Sequence, residues 1–400
     1  MVLILIGFIM RFKFLIVITL LCIYTFPGLT QEILPGARQL EEYLPLLKEK
    51  RVAVVANHTT LVGTKHLVDT LISLGININK IFCPEHGFRG DVEAGAHIGN
   101  YVDRQTGLPV VSLYGRNKKP KADDLQDVDI VIFDLQDVGV RFYTYISTMH
   151  YVMEACAENG KPVVILDRPN PNGFYVDGPV LDTNYRSFVG MHPVPLVHGM
   201  TIGEYARMIN GEGWLKNHIK CELIVIPCKG YSHSMTMALP VKPSPNLPNH
   251  LSVLLYPSLG LFEGTVVSVG RGTDYPFQVF GYPDFPNKDF KYIPVEKRGA
   301  SLNPPYKGKP VYGIDLRDYN VNYFLDHRMI ILDWLIYSYN SYPEKDKFFN
   351  NFFKLLAGSE QLRSQIEQGL SAAEIRKSWQ PGLEKFKQIR KRYLLYPDFE

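Results

Sequence analysis

Residues 129–137 read DIVIFDLQD, a four-residue apolar run that follows one aspartate and ends in a polar cluster. Such a short run of β-branched and aromatic residues without polar alternation is typical of a strand that is buried on both faces. The same pattern occurs in residues 51–56 (RVAVVA) and 162–167 (PVVILD), and shorter versions occur at 80–82 and 109–113. We therefore predict a mostly parallel sheet in this half of the chain.

Helical patterns alternate with these strands, at residues 66–74, 144–158 and 201–210. The first ends at Gly75, which suits the left-handed conformation of a helix C-cap. The third starts at Thr201, with Glu204 in capping-box spacing, and a further strand is predicted at residues 221–227. The alternation predicts a Rossmann-like α/β fold with helices on both faces of the sheet. Ligands of such folds bind beyond the carboxyl ends of the strands.

The chain has 400 residues, 46% of them hydrophobic and 21% charged, so it is globular and long enough for two domains. The proline-rich segment 243–248 (PSPNLP) is predicted to be an extended link. We predict a Rossmann-like catalytic domain over residues 31–249. A smaller C-terminal α+β domain over residues 250–400 would close the active-site cleft. Its helices are predicted at 321–339, 344–356 and 372–377, with another before Tyr393.

The N-terminus has the pattern of an export signal. Arg11 and Lys13 precede an apolar run over residues 14–23. Ten residues are too few to span a bilayer, which takes about 20. We expect a signal peptide at residues 1–30 and a periplasmic or secreted protein, the alternative being a retained N-terminal anchor. The net charge of +3 gives no argument for binding to nucleic acid or to anionic membranes.

Cofactor and metal signatures are absent from the sequence. The first predicted strand ends in Asn57 and His58 without the G-x-G-x-x-G of a dinucleotide site, and there is no phosphate loop or H-E-x-x-H motif. We expect neither a cofactor nor a metal ion. The four cysteines beyond residue 30 form no C-x-x-C pair; a Cys221–Cys228 disulfide is one alternative and free thiols are the other.

The loop after the second strand carries the strongest candidate for catalysis. Residues 83–90 (CPEHGFRG) place Glu85 and His86 next to each other on a glycine-containing loop. Glu85 suits a general acid whose pKa is raised by burial, and His86 or Arg89 could tune that pKa or bind substrate oxygens. The alternative is that Glu85 and Arg89 form an ion pair that braces the loop.

The other candidates follow later strands. Asp137 could orient a water molecule or a sugar hydroxyl, or could instead cap the helix that follows it. Arg168 and Arg271 are candidates to bind a carboxylate group through the guanidinium. The remaining candidates for substrate binding are Gln136, Arg141, Tyr143, Asp167, His198, Asn246 and Glu263.

Eight motifs in this order resemble those of the NamZ-type exo-β-N-acetylmuramidases. They are CPEHGFRG (83–90), TGLPVVSLYG (106–115), FDLQDVGVRFYTYISTM (133–149), LDRPNPNG (166–173), DGPVLD (177–182), PLVHGMTIGE (195–204), PSPNLP (243–248) and EGTVVSVGRGT (263–273). The usual asparagine of the last motif is Val266 here, and a carboxylate common after the first is replaced by Ala96. The resemblance covers nearly the whole chain after residue 36.

The resemblance implies a two-domain enzyme that hydrolyses β-linked N-acetylmuramic acid from the non-reducing ends of peptidoglycan fragments. The family's proposed catalytic glutamate falls on Glu85. The second catalytic group is open among Asp137, Asp167 and Glu263, and the acetamido group of the substrate could take its place. The alternatives are a non-catalytic cell-wall glycan binding protein and a hydrolase of a related amino sugar.

Overall fold

The structure is a computed structural model, which describes residues 32–85, 87–90 and 99–400. Residues 1–31, His86 and residues 91–98 lie outside it, so the predicted export signal and the role of His86 stay predictions. The region Leu34–Glu400 forms one compact unit. The predicted division of this unit at residue 250 stays a prediction.

The strands of the described residues are short, and we number them in chain order. They are β1 (Val52–Ala56), β2 (Leu61–Val62), β3 (Lys65–His66), β4 (Ile78–Cys83), β5 (Tyr101–Val102), β6 (Pro109–Ser112), β7 (Ile130–Asp134), β8 (Val163–Leu166), β9 (Leu223–Ile226), β10 (Val279–Tyr282), β11 (Phe290–Tyr292) and β12 (Val311–Asp315).

The α-helices are numbered in the same way. They are α1 (Leu40–Leu47), α2 (Leu67–Ser73), α3 (Ala122–Leu125), α4 (Tyr145–Glu158), α5 (Ile202–Gly211), α6 (His250–Leu259), α7 (Asn322–His327), α8 (Asp333–Ser341), α9 (Lys345–Phe348), α10 (Phe353–Ala357), α11 (Gln361–Glu367) and α12 (Ala372–Arg390).

A seven-stranded sheet in the order β5-β6-β4-β1-β7-β8-β9 forms the centre of the molecule. Its strands are parallel except for the edge pair β5–β6. The predicted mostly parallel α/β sheet is confirmed. A three-stranded antiparallel sheet, β10-β12-β11, and most of the shorter helices lie in the C-terminal part.

Successive residues of the central strands face opposite sides of the sheet, and each side is covered by helices. Val52, Val54 and Ala56 of β1 pack into one apolar cluster with residues of α1 and α2. Ala53 and Val55 pack into the other cluster, with residues of α4 and α5. Burial on both faces explains why these strands read as continuous apolar runs.

The local signals of the first half are confirmed. Gly75 has a φ of 78°, in the left-handed region. Thr201 and Glu204 form the predicted capping box at the start of α5, each side chain accepting a hydrogen bond from the backbone of the other residue.

The C-terminal helices were predicted less well. The helix predicted at 321–339 is split into α7 and α8, because Arg328 after α7 adopts a left-handed φ of 51°. The helix predicted at 344–356 is likewise divided into α9 and α10. The segment 372–377 is instead the start of the 19-residue α12, which continues through Pro381. The link at 243–248 contains a tight turn in which Leu247 N–H donates to the Ser244 carbonyl.

Two other expectations concern thiols and membranes. Cys221 and Cys228 are both free, so the disulfide alternative is wrong. Throughout the described ranges, no helix combines the length and the apolar character needed to cross a bilayer.

Candidate active site

A cavity lies beyond the ends of β4 and β7. Its walls come from the loops after these strands, the start of α4, the turn at residue 244, helix α6 and the loop before β10. The lining residues are Glu85, Phe142, Tyr143, Thr144, Tyr145, Ser244, Tyr256 and Arg271.

Glu85 is held at the cavity by β4, whose last three residues are fully buried. Its carboxyl group is partly exposed and lies beside the hydroxyl of Tyr114. Burial first, and then the charge and hydrogen bonding of Glu85, raise the pKa of Tyr114. Tyr114 therefore keeps its proton and serves as a hydrogen-bond donor to the Glu85 carboxylate.

Arg271 brings a positive charge to the same cavity. Its Nε and Nη2 both lie 2.7 Å from Oε1 of Glu263, and its guanidinium stacks on Phe277 at 5.1 Å. Burial opposes the charge of Arg271, but the Glu263 and Glu85 carboxylates raise its pKa above the ordinary value. The cavity thus holds a fixed cation near a carboxyl group.

Aromatic rings form the remaining wall. Tyr143 makes edge-on contacts with Tyr145 at 4.8 Å and with Tyr256 at 6.1 Å between ring centroids, and Tyr256 contacts Phe142 in the same way at 5.1 Å. Such rings offer apolar surface to the C–H groups of a sugar and hydroxyls to its oxygens. The arrangement suits a sugar that carries a negative charge.

Asp137 lies behind this aromatic wall rather than in the lining. Its Oδ2 accepts a hydrogen bond from Gly139 N–H at 2.7 Å and lies 3.9 Å from Nε2 of His198. Its Oδ1 is buried without a hydrogen-bond partner among the described residues. Burial raises the pKa of Asp137 to about 7, against the lowering effect of two backbone N–H groups.

The raised pKa of Asp137 predicts a pH-dependent effect of an Asp137→Asn substitution. Because the folded-state pKa of about 7 lies above the ordinary 3.8, Asp137 contributes stability at low pH that is lost as the pH rises through 7. Asparagine has no proton to lose. We expect the variant to gain about 2 kcal/mol over the wild type between about pH 5 and pH 7, with no further gain above.

Urea denaturation of both proteins at a series of pH values measures this difference. A difference that stays constant from acid to neutral pH would show that Asp137 is ionised throughout and that its burial is compensated.

Several predicted site residues serve internal hydrogen bonds and do not line the cavity. Arg141 is fully buried and donates to the carbonyls of four residues on three segments, namely Pro179, Val194, Leu356 and Ala357. Arg168 forms a buried ion pair with Asp134 at 2.5 and 2.8 Å. Gln136 donates to the carbonyls of Asp137 and Pro169.

Asp167 is likewise occupied within the fold. Its carboxylate accepts hydrogen bonds from the backbone of Gly203 at 2.8 Å, from the hydroxyl of Thr201 at 2.7 Å and from the hydroxyl of Tyr396. Burial raises the pKa of Asp167 to about 6. The side chain therefore joins the start of α5 to the C-terminal segment.

Three further predicted site residues do not line the cavity. Arg89 pairs with Asp69 at 3.0 Å and with Asp103 at 3.0 Å, which braces the loop that carries Glu85. His198 is fully buried, and burial lowers its pKa to about 3. Asn246 is buried and donates to the carbonyl of residue 300 at 3.0 Å.

The structure thus brings Glu85, Tyr143 and Arg271 together, with Glu263 behind Arg271. Sequence reasoning missed Tyr145, Tyr256 and Ser244. Tyr145 stands two residues after Tyr143, at the first position of α4, and could have been found by this position. Tyr256 lies in an apolar helix and gave no signal.

No group of three or more His, Cys, Asp or Glu side chains that could hold a metal ion occurs in residues 32–85, 87–90 and 99–400.

Comparison with known proteins gives consistent matches along the chain. The profile described as "Exo-beta-N-acetylmuramidase NamZ, N-terminal" matches residues 52–251, and its C-terminal counterpart matches residues 254–396. The peptidoglycan beta-N-acetylmuramidase NamZ of Bacillus subtilis (strain 168) is 41% identical over 375 residues, which is 89% of each chain.

Two crystal structures of DUF1343 family proteins from Bacteroides fragilis NCTC 9343 share the fold. The first is 47% identical, with a TM-score of 0.86 over 92% of this chain and 100% of the other. The second is 29% identical, with a TM-score of 0.79 over 91% of this chain and 99% of the other. The chain belongs to the exo-β-N-acetylmuramidase NamZ family.

Proposed function

We propose that the protein hydrolyses terminal β-linked N-acetylmuramic acid from the non-reducing ends of peptidoglycan fragments, with Glu85 as the general acid. The observation that carries this proposal is the position of Glu85 in a cavity that is also lined by aromatic rings and by Arg271. A general acid must reach the glycosidic oxygen and release a proton there. Glu85 lines the cavity, and Tyr114 can stabilise the carboxylate that remains.

Arg271 is proposed to bind the lactyl carboxylate that distinguishes N-acetylmuramic acid from N-acetylglucosamine. A guanidinium forms strong, directional hydrogen bonds with carboxylates. One carboxylate oxygen of Glu263 contacts both Nε and Nη2 of Arg271, and this fixes the plane of the guanidinium at the cavity. Family membership supports the substrate class, and the position of this cation supports the assignment within the site.

An Arg271→Ala substitution tests the proposal through substrate preference. We expect kcat/KM on a chromogenic N-acetylmuramic acid glycoside to fall about 10- to 150-fold, because one charge-assisted hydrogen bond contributes about 1.5–3 kcal/mol. Hydrolysis of the matching N-acetylglucosamine glycoside should stay near its wild-type rate. The measurement is steady-state kinetics on both glycosides, with Arg317→Ala, a partly exposed arginine also paired with a carboxylate, as the control. Equal losses on the two glycosides would assign Arg271 a structural role.

We also propose that the protein acts outside the cytoplasm, since the pattern of residues 11–30 is that of an export signal. N-terminal sequencing of the mature protein tests this, and a chain that still begins at Met1 would contradict it.

A further inference from the structure

The residue that follows β1 fixes the direction of a hydrogen bond at the cavity wall. Asn57 is fully buried, and its Oδ1 accepts hydrogen bonds from the backbone N–H of Thr59 at 2.8 Å and from the Thr59 hydroxyl at 2.6 Å. A backbone N–H only donates, so the atom that faces it is the amide oxygen. The Nδ2 of Asn57 therefore points the other way, to the hydroxyl oxygen of Tyr145 at 2.7 Å.

The orientation of the Asn57 amide determines where the Tyr145 hydroxyl can donate its proton. Its oxygen accepts from Asn57, so its own proton must go elsewhere. The neighbouring Tyr143 gives its hydroxyl proton to the carbonyl of Pro243 at 2.7 Å, which leaves the Tyr143 oxygen as an acceptor. The hydroxyls of Tyr143 and Tyr145 are hydrogen-bonded to each other, so the Tyr143 oxygen can accept the Tyr145 proton, and a ligand oxygen can replace it as the acceptor.

Tyr145 lines the same cavity as Glu85. The acetamido group is attached to the carbon next to the anomeric carbon, so it stays close to a glycosidic oxygen that reaches Glu85. Besides burial, the charge of Glu85 is near enough to the Tyr145 hydroxyl to raise its pKa. The acetamido carbonyl oxygen is an acceptor without a proton of its own. We propose that Tyr145, oriented by Asn57, donates a hydrogen bond to the acetamido carbonyl oxygen of the terminal sugar. This assignment rests on the proposed function, and it makes Tyr145 a specificity residue and Asn57 a positioning residue.

The test compares the chromogenic glycoside of N-acetylmuramic acid, measured as a substrate, with an analogue that has hydrogen in place of the acetamido group, measured as a competitive inhibitor of the first. We expect Tyr145→Phe to raise KM for the first about tenfold, the effect of one lost hydrogen bond, with kcat nearly unchanged. The inhibition constant of the analogue should not change, because it lacks the acceptor. Tyr43→Phe, which also removes a fully buried hydroxyl bonded to a carbonyl, is the control.

An Asn57→Asp substitution provides an independent test without removing any hydroxyl. The new side chain keeps an oxygen for Thr59 but presents a second oxygen to Tyr145, which captures the tyrosine proton when the carboxyl is ionised at about pH 8. We expect the same selective rise in KM. If Asn57 acts only in folding, the substitution would weaken the binding of both glycosides equally.

Losses of equal size on the two glycosides, or no change in KM for N-acetylmuramic acid, would overturn the assignment. These outcomes are independent of the acid role of Glu85. If Glu85→Gln keeps full activity, the proposed acid is wrong, and the KM comparison at Tyr145 still decides the inference.

Discussion

A Glu85→Gln substitution is expected to lower kcat/KM on the disaccharide of N-acetylmuramic acid and N-acetylglucosamine by about 100-fold or more, the usual contribution of a general acid. Glutamine has nearly the same size and can still contact Tyr114, but it has no proton to release. Without a proton the sugar must depart as an alkoxide, which is a poor leaving group. Thermal melting should change little, because the side chain is partly exposed at a cavity.

The leaving group separates acid catalysis from substrate binding. A 4-nitrophenyl glycoside needs little protonation, so the same substitution should lower its hydrolysis far less than that of the disaccharide. A binding role would reduce both rates by the same factor. Glu384→Gln, at an exposed position of α12, is the matched control and should behave like the wild type. Unchanged turnover of the disaccharide by Glu85→Gln would remove Glu85 from the mechanism.

The central sheet could be predicted from the sequence because its strands are buried on both faces. Residues such as Val54 and Ile132 must be apolar whichever way they point, so the runs stand out. The C-terminal part is different. The break after α7 depends on the backbone of Arg328, a residue type that normally favours a helix, so nothing in the local sequence indicates the turn.

The candidate site was predicted from the rule that ligands bind beyond the carboxyl ends of the strands, and this rule has a clear limit. Glu85 follows a strand and lines the cavity, as the position of ligand sites in open sheets predicts. Asp167 and Arg168 also follow a strand, but their charges are used to hold loops and helices together. Sequence position alone does not tell which polar side chains point into a cavity, because that depends on hydrogen-bond partners more than 30 residues away in the chain.

The largest stability effect is expected at Arg168. Its guanidinium and the carboxylate of Asp134 are almost completely buried and make two hydrogen bonds, at 2.5 and 2.8 Å. An Arg168→Met substitution would leave the Asp134 carboxylate buried without its partner, which typically costs about 3–5 kcal/mol of unfolding free energy. The comparison is Arg51→Met, because Arg51 pairs with Asp129 at 2.7 Å near the opposite ends of β1 and β7, where both side chains are partly exposed to solvent. Water replaces the lost partner there, so a much smaller change is expected.

Removal of both charges decides whether the loss arises from the unpaired carboxylate. The double variant Asp134→Leu with Arg168→Met places two apolar side chains in the buried position, and such replacements of ion pairs are often neutral. We expect chemical denaturation to show that the double variant is more stable than Arg168→Met alone, and the folded fraction of both to hydrolyse substrate near the wild-type rate. A double variant as unstable as the single one would mean that Arg168 acts mainly through its 3.2 Å hydrogen bond to the Leu61 carbonyl. If Arg168→Met folds but does not hydrolyse substrate, Arg168 acts in substrate binding or catalysis. That result would contradict the structural role that its buried contacts indicate.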